Sequence, residues 1–180
     1  MTSGRLKLGG QAVAVAVVVA LFVVLVWRLT HRTSPPKIGG PAPAFALERL
    51  NGTGTLRLAS LRGKAVVLNF WASWCNPCKA EAPTLEKLWR QYRGKGVVFI
   101  GVDSNDASSD ARRFLNAHGI TYPVVSDTNG LVAANRYDIA VLPVTYFVNR
   151  QGRLVSTHIV GGVDEYTSEF HSALAAAMRP

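Results

Sequence analysis

Cysteine is scarce in this sequence: Cys75 and Cys78 are the only two among 180 residues, and two residues separate them. A single pair excludes a framework of several disulfides, and it excludes the four-cysteine zinc site, which needs a second pair. The histidines are scattered and follow no metal-binding spacing; they are His31, His118, His158 and His171. The sequence therefore predicts no metal site and no bound cofactor.

Acidic residues are absent from positions 1–37, which contain five of the 20 basic residues. The rest of the chain has 15 basic and 11 acidic residues, so it is only mildly basic although the net charge of the whole is +9. No block of Lys and Arg in that part is dense enough to indicate nucleic-acid binding. We expect no nucleic-acid partner and a weak attraction to anionic lipid near the N-terminus.

Charge is also absent from a long apolar run near the N-terminus. Residues 12–27 are all apolar, and the 20 residues from Leu8 to Trp27 are broken only by Gln11. A helix of that length is about 30 Å long, which is about the thickness of a bilayer core. The run predicts an N-terminal transmembrane helix over about residues 11–29.

The sequence divides into three parts: an anchor over residues 1–30, a tether rich in proline and glycine over 31–43, and a globular domain over 44–180. No cleavage pattern of small residues closely follows the apolar run, so we expect an uncleaved single-pass anchor. Basic residues flank both of its ends, and charge alone therefore leaves its orientation open.

Strand patterns and helix patterns alternate along the globular domain, which predicts an α/β fold with a mixed sheet. Asn51-Gly52 predicts a two-residue hairpin turn between its first two strands. The predicted strands are 44–50, 55–58, 64–71, 97–103, 122–127, 144–149 and 154–160. The predicted helices run from the cysteines to residue 93, and over 108–119, 131–137 and 164–178.

The cysteine pair favours redox chemistry over a structural role. A disulfide that closes so short a loop removes little entropy from the unfolded chain and adds little stability. The apolar strand 64–71 delivers Cys75 to the start of a helix, where free N–H groups and the helix dipole favour the thiolate. We therefore expect Cys75 to be the exposed nucleophile and Cys78, in the first helical turn, to be the resolving thiol.

The segment L-R-G-K-A-V-V-L-N-F-W-A-S-W-C-N-P-C-K-A-E-A-P, with Y-D-I-A-V-L-P-V-T-Y-F-V near the C-terminus, resembles the thioredoxin superfamily. Within it the chain is similar to membrane-anchored thiol–disulfide oxidoreductases of the TlpA/ResA/CcmG type. The resemblance implies a thioredoxin-like fold in which Pro143 is a cis-proline that docks an extended substrate. It also implies that Trp74 covers the rim of the site. The cytochrome c maturation subgroup usually has G-A-P-E-T around this proline, whereas this chain has V-L-P-V-T, with the bulkier Leu142.

Glu81 is the expected proton carrier of the pair. Thioredoxins have a buried acid six residues before the first cysteine, but here that position is Asn69, which cannot titrate. Glu81, three residues after Cys78, matches the acid that the TlpA/ResA/CcmG type has beside the motif. We expect it to be partly buried, with a raised pKa, and to exchange protons with the cysteines.

The resemblance implies a disulfide reductase on the outer face of a bacterial cytoplasmic membrane. Its clients would be apocytochrome c or the copper-site cysteines of an oxidase assembly factor, and its electrons would come from a DsbD/CcdA-like membrane protein. An oxidase of the same fold is one alternative. A membrane-tethered copper chaperone that uses both cysteines, with His158 as a third ligand, is another. A peroxidase of the peroxiredoxin type is disfavoured, because its cysteine does not lie in a W-C-x-x-C motif.

Overall fold

The structure, a computed structural model, describes residues 3–30, 35–156, 158–164 and 166–179, without the side chains of 3–10, 12 and 28–30. The chain divides into two compact units, residues 1–34 and 35–180. Residues 31–34 of the predicted tether lie outside the described residues.

The first unit contains one helix, α1 (Ser3–Thr30). Its described side chains, those of residue 11 and residues 13–27, are all exposed, including large apolar groups such as Leu21 and Phe22. Within the described part of the chain, no helix meets the length and hydropathy that crossing a bilayer requires.

The second unit is built on a five-stranded mixed sheet with strand order β5-β4-β3-β6-β7. β4 runs parallel to β3 and β5, whereas β6 is antiparallel to β3 and β7. A separate two-stranded sheet joins β1 (Ala46–Glu48) and β2 (Thr55–Arg57). The main strands are β3 (Ala65–Trp71), β4 (Val97–Ser104), β5 (Val124–Asp127), β6 (Val144–Val148) and β7 (Ile159–Val160). The helices are α2 (Asn76–Tyr92), α3 (Ser108–Ala117), α4 (Leu131–Arg136) and α5 (Thr167–Met178).

β3 is the central strand, and all seven of its residues are buried. Alternate side chains enter two different cores because successive residues of a strand point to opposite faces. Val67 and Trp71 pack with residues of α2, α3 and α5, whereas Leu68 and Phe70 pack with residues of α4 and β1–β2. The strand that the sequence predicts over residues 64–71, with an apolar pattern broken only by Asn69, is thereby confirmed.

The predicted two-residue hairpin at Asn51-Gly52 is wrong. β1 ends at Glu48 and β2 begins at Thr55, so six residues connect them. The Asn51 side chain is engaged elsewhere: its Nδ2 donates to the Tyr122 carbonyl at 2.7 Å and its Oδ1 accepts from the Val124 N–H at 2.8 Å. Asn51 therefore fastens this connection to the edge strand β5 instead of forming a tight turn.

The C-terminal elements are shorter than their sequence patterns. The segment predicted as a strand over 154–160 contributes an isolated bridge between Leu154 and Val148, and only Ile159–Val160 form β7. The last helix begins at Thr167 rather than near Asp164. The apolar positions that produced the prediction are nevertheless buried, since Leu154 and Ile159 both belong to the core.

Gly101 of β4 lies where no side chain fits. A Cβ atom there would be 2.9 Å from Trp71 Nε1, 3.1 Å from a Val124 methyl and 3.2 Å from the Tyr122 ring. Trp71 cannot move aside freely, because its ring stacks on Phe114 with centroids 4.3 Å apart. We expect Gly101→Ala to lower the free energy of unfolding by about 1–3 kcal/mol, the usual cost of overpacking a core. Denaturant unfolding would measure this, with Gly63→Ala as the control, since a Cβ at Gly63 meets no atom within 4 Å and strains only its own positive φ.

Candidate redox site

Cys75 and Cys78 form a disulfide at the start of α2, with their Cα atoms 5.3 Å apart. The chain leaves β3 at Trp71 and turns back on itself, with the Cys75 N–H donating to the Ala72 carbonyl at 3.1 Å. Cys75 is then the N-cap of α2, and its Sγ accepts from the Cys78 N–H at 3.3 Å. A sulfur atom that receives a helix-terminal N–H is where a thiolate is stabilised, so the local geometry favours charge on Cys75.

The prediction that Cys75 is exposed is wrong for the disulfide form. Cys75 is 5% exposed and Cys78 2%, and both pack in the core that contains Trp71 and Ala72. The strand-to-helix turn folds the pair against the sheet. The two residues therefore differ little in exposure in this form, and the cap geometry is what distinguishes them.

Glu81 is almost completely buried, with 1% of its surface exposed. Its carboxylate accepts from the Asn69 side-chain amide at 2.9 Å and from the Val163 N–H at 3.1 Å. Asn69 also contacts the Thr145 hydroxyl at 3.1 Å. Glu81 thus connects the first turns of α2 to β3, β6 and the segment that leads into α5.

Burial raises the pKa of Glu81 to about 7, and the nearby charge of Asp164 adds to the rise. The hydrogen bonds from Asn69 and Val163 favour the carboxylate and oppose the rise, but they do not outweigh desolvation. An acid with such a pKa changes its protonation state near neutral pH, as a proton carrier must.

Asn69 occupies the position where thioredoxins have their acid, and it contacts Glu81 directly. In the sequence, positions 69 and 81 look like alternative places for one acid, which is absent at position 69 and present at position 81. The structure brings them together, because Glu81 projects from α2 towards the strand position that Asn69 occupies. The carboxylate is therefore supplied from the helix and the amide holds it from the strand.

The peptide bond between Leu142 and Pro143 is cis, as the resemblance implies. Leu142 and Trp74 line one groove of about 560 Å³, together with small and apolar residues of α4 and of the segment 139–141 and with the polar residues Ser104, Asn105 and Asn129. Trp74 is 58% exposed, which agrees with a place at the rim. The described residues that line the groove carry no charge. The groove thus extends from Trp74, the residue before Cys75, to Leu142, the residue before the cis-proline.

Two residues that the sequence did not indicate hold the segment before Cys75. Asp106 Oδ2 accepts from the Ser73 N–H at 2.5 Å, and the Asn105 carbonyl accepts from the Trp74 indole N–H at 3.1 Å. Both follow β4, which is parallel to β3. Their loop therefore lies at the carboxyl ends of these two strands, as the cysteines do. The sequence signal that could have indicated them is the polar run S-N-D at positions 104–106, directly after the predicted strand 97–103.

His158, the suggested third ligand of a copper site, stacks its ring on Tyr146 with centroids 4.8 Å apart. Among the described residues, no group of three or more His, Cys, Asp and Glu side chains is close enough to hold a metal ion. Among those residues, no His, Asp or Glu side chain therefore joins the cysteine pair as a third ligand for copper.

Comparison with known proteins agrees with the geometry. The profile of the AhpC/TSA family matches residues 38–157. The chain is 37% identical over 134 residues to a thiol-disulfide oxidoreductase ResA of Halalkalibacterium halodurans, covering 74% of this chain and 75% of that protein. It is 37% identical over 117 residues to ResA of Bacillus subtilis, covering 65% and 64%. A crystal structure of a candidate thiol:disulfide interchange protein DsbE from Chlorobium tepidum superposes with a TM-score of 0.72 at 28% identity, covering 79% and 98%.

Proposed function

Because this chain belongs to the AhpC/TSA family of thioredoxin-fold proteins and is a thiol-disulfide oxidoreductase of the TlpA/ResA/CcmG type, we propose that it reduces disulfides of client proteins outside the cytoplasm. The observation that carries this proposal is the pairing of an N-capping Cys75 with a buried Glu81 whose pKa is about 7. That pairing supplies a nucleophile and a proton carrier at one helix terminus. Disulfides outside the cytoplasm persist unless an enzyme reduces them.

The reaction proceeds from the reduced pair by two exchange steps. The Cys75 thiolate attacks one sulfur of the client disulfide, which forms a mixed disulfide and releases the other client sulfur as a thiolate. Cys78 then loses its proton to the Glu81 carboxylate and attacks Cys75 Sγ. The second client sulfur leaves as a thiolate, the two client thiolates take up protons, and the Cys75–Cys78 disulfide is restored. A dithiol of the electron donor reduces it for the next cycle.

Net direction depends on the reduction potential of the pair. We propose a reductase, and an oxidase of the same fold is the alternative. Equilibration of the full chain with glutathione buffers, read by alkylation and mass spectrometry, gives the potential. A value at or below that of thioredoxin, about −270 mV, supports a reductase; a value near that of DsbA, about −120 mV, contradicts it.

The groove between Trp74 and Leu142 suits a client whose disulfide cysteine is followed or preceded by an apolar residue. No charged residue is in the described lining of the groove, and Val141 in that lining is an exposed apolar residue. Apocytochrome c and a copper-site protein of oxidase assembly are the two client classes that we propose, since both present a cysteine pair in an extended segment.

Leu142→Glu is expected to slow exchange with a peptide disulfide that has an apolar neighbour, because it puts a charge into the groove. We expect the rate to fall about tenfold more than with a small disulfide that does not reach the groove. Stopped-flow rates with both substrates measure the difference. Ile38→Glu is the matched control, since Ile38 is 58% exposed and lies outside the groove lining. An equal loss with both substrates would contradict selection by the groove.

We also propose that residues 1–30 anchor the chain in the bacterial cytoplasmic membrane, with the redox domain on the outer side and a DsbD/CcdA-like protein as its electron donor. The uncharged run of residues 12–27 and its helical conformation support the anchor. Within the predicted span of about residues 11–29, the side chains of residues 12, 28 and 29 are outside the described part of the chain. The full chain should float with lipid vesicles in a density gradient, in high salt as in low salt. Sedimentation without the vesicles would contradict an inserted anchor.

A further inference from the structure

Asp103 is a buried carboxyl group for which the exchange reaction has no use. It lies in β4 directly opposite Trp71 of β3, and none of its surface is exposed. Neither of its oxygens accepts a hydrogen bond from any described residue. An ionised carboxylate in such surroundings is strongly destabilising, so the group needs a chemical explanation.

The charged groups that face Asp103 are two other carboxylates. Asp106 lies in the loop after β4, within reach of a shared proton, and Asp127 lies at the end of β5. Both have donors of their own. Asp106 accepts from the N–H groups of Ser73 and Ala107, and Asp127 accepts from the N–H groups of Val132 and Ala133 at the start of α4. Asp103 is the member of this cluster that no N–H group supports.

These surroundings favour the neutral form of Asp103 near neutral pH. Burial raises the pKa of Asp103 to about 8, and the charges of Asp106 and Asp127 act in the same direction. A neutral carboxyl has an O–H group to donate, and the Asp106 carboxylate beside it can accept. Two carboxylates that would repel each other thereby become a hydrogen-bonded pair.

Asp106 in turn holds the approach to the cysteines. Its Oδ2 lies 2.5 Å from the Ser73 N–H, and the preceding residue, Asn105, accepts from the Trp74 indole at 3.1 Å. Ser73 and Trp74 are the two residues immediately before Cys75. A displacement of the Asp106 carboxylate would therefore act on the segment that carries the nucleophile.

We propose that Asp103 is a positioning residue for the redox site: its neutral carboxyl donates to Asp106, keeps that carboxylate on the Ser73 N–H, and so fixes the segment Ser73–Cys75. When Asp103 releases its proton to solvent at high pH, two adjacent buried carboxylates face each other. The loop of residues 105–107 then relaxes away from Ser73. Only the effect on exchange rests on the proposed function; the structural effect is independent of it.

The test is the pH dependence of the Ser73 amide signal in ¹H–¹⁵N spectra of the full chain in detergent micelles. We expect a transition with a midpoint near the pKa of about 8 for Asp103. Asp103→Asn should show the low-pH position of that signal at every pH, because an asparagine amide still donates to Asp106 but cannot ionise. Asp103→Leu, which has no donor, should shift the signal at every pH. In a Glu81→Gln background the transition should persist.

A Ser73 signal that does not titrate between pH 7 and pH 9, or one that titrates identically in Asp103→Asn, would overturn the proposal. The second measurement needs no variant: the carboxyl ¹³C shift of Asp103 in the unaltered chain reports its own protonation. We expect its midpoint well above pH 6. A midpoint below pH 6 would show that Asp103 is ionised in the neutral range and has no proton to donate.

Discussion

Cys78→Ser is expected to hold a client protein covalently through Cys75. The serine cannot attack the mixed disulfide, so the intermediate of the first exchange step accumulates and turnover stops. Non-reducing electrophoresis of the full chain from its native cells should show a high-mass band that a dithiol removes. Mass spectrometry of that band identifies the client and the bonded cysteine.

Cys75→Ser is the matched control for the trap, since it removes the other sulfur of the same disulfide and leaves Cys78 free. We expect no stable mixed disulfide from it, because Cys78 lies inside the first turn of α2 and is not its N-cap, where a thiolate is stabilised. Equal amounts of client bound to both variants would contradict the division of roles between the two cysteines. The same band would also discriminate between an apocytochrome and a copper-site client.

Glu81→Gln is expected to slow turnover at pH 8 by about 10²-fold, the lower end of what a general base contributes. Near pH 5 the two proteins should differ little, because Glu81, with its pKa of about 7, is then protonated and accepts no proton. The fold should survive. The carbonyl of the introduced side chain can accept from Val163, and Asn69 can turn its amide so that its oxygen accepts from the introduced NH₂ group and from the Thr145 hydroxyl.

The control for this substitution is Glu86→Gln in the same helix. Glu86 is 6% exposed, and its carboxylate is held by Arg90 and Thr121. It should lower stability without changing the pH dependence of the rate. In the unaltered chain the turnover rate should rise with pH around pH 7, as Glu81 ionises. If the rate of Glu81→Gln rose in the same way, another group would accept the proton and the role of Glu81 would be refuted.

The raised pKa of Glu81 also predicts a pH-dependent stability. Between the ordinary value of 4.5 and about 7 the folded chain binds this proton and the unfolded chain does not, so stability falls as pH rises through that window. Glu81→Gln should abolish this contribution. The free energy of unfolding of the variant, relative to that of the unaltered chain, should therefore be higher at pH 8 than at pH 4, by up to about 3 kcal/mol. Denaturant unfolding at the two pH values measures it.

Sequence was a sufficient guide wherever one short segment determined the outcome. The apolar run of β3 and the capped start of α2 are local features, and both elements formed where their residues predicted. Glu81 was found because it lies three residues after Cys78 and matches the acid that the TlpA/ResA/CcmG type has beside the motif. Its depth of burial was not predictable, since that depends on Val163 and Asn69 from distant parts of the chain.

The features that sequence missed all depend on contacts between distant segments. Asn51 looked like a turn residue because its long-range bonds to the loop before β5 leave no local trace. Asp103 looked like the last residue of a predicted strand, and Asp106 looked like an ordinary polar residue after it. Only the parallel pairing of β3 and β4 brings them beside Trp71 and Ser73, where one becomes buried and the other an acceptor.

The central claim is that Cys75 is the nucleophile and Cys78 the protected resolving thiol. The most direct measurement is site-resolved alkylation of the reduced full chain with limiting iodoacetamide between pH 5 and pH 9, read by mass spectrometry. We predict that Cys75 reacts first at every pH, with an apparent pKa below the usual value of about 8.5 for a thiol. Modification of Cys78 at an equal or higher rate, or a Cys75 pKa at or above the usual value, would contradict the account.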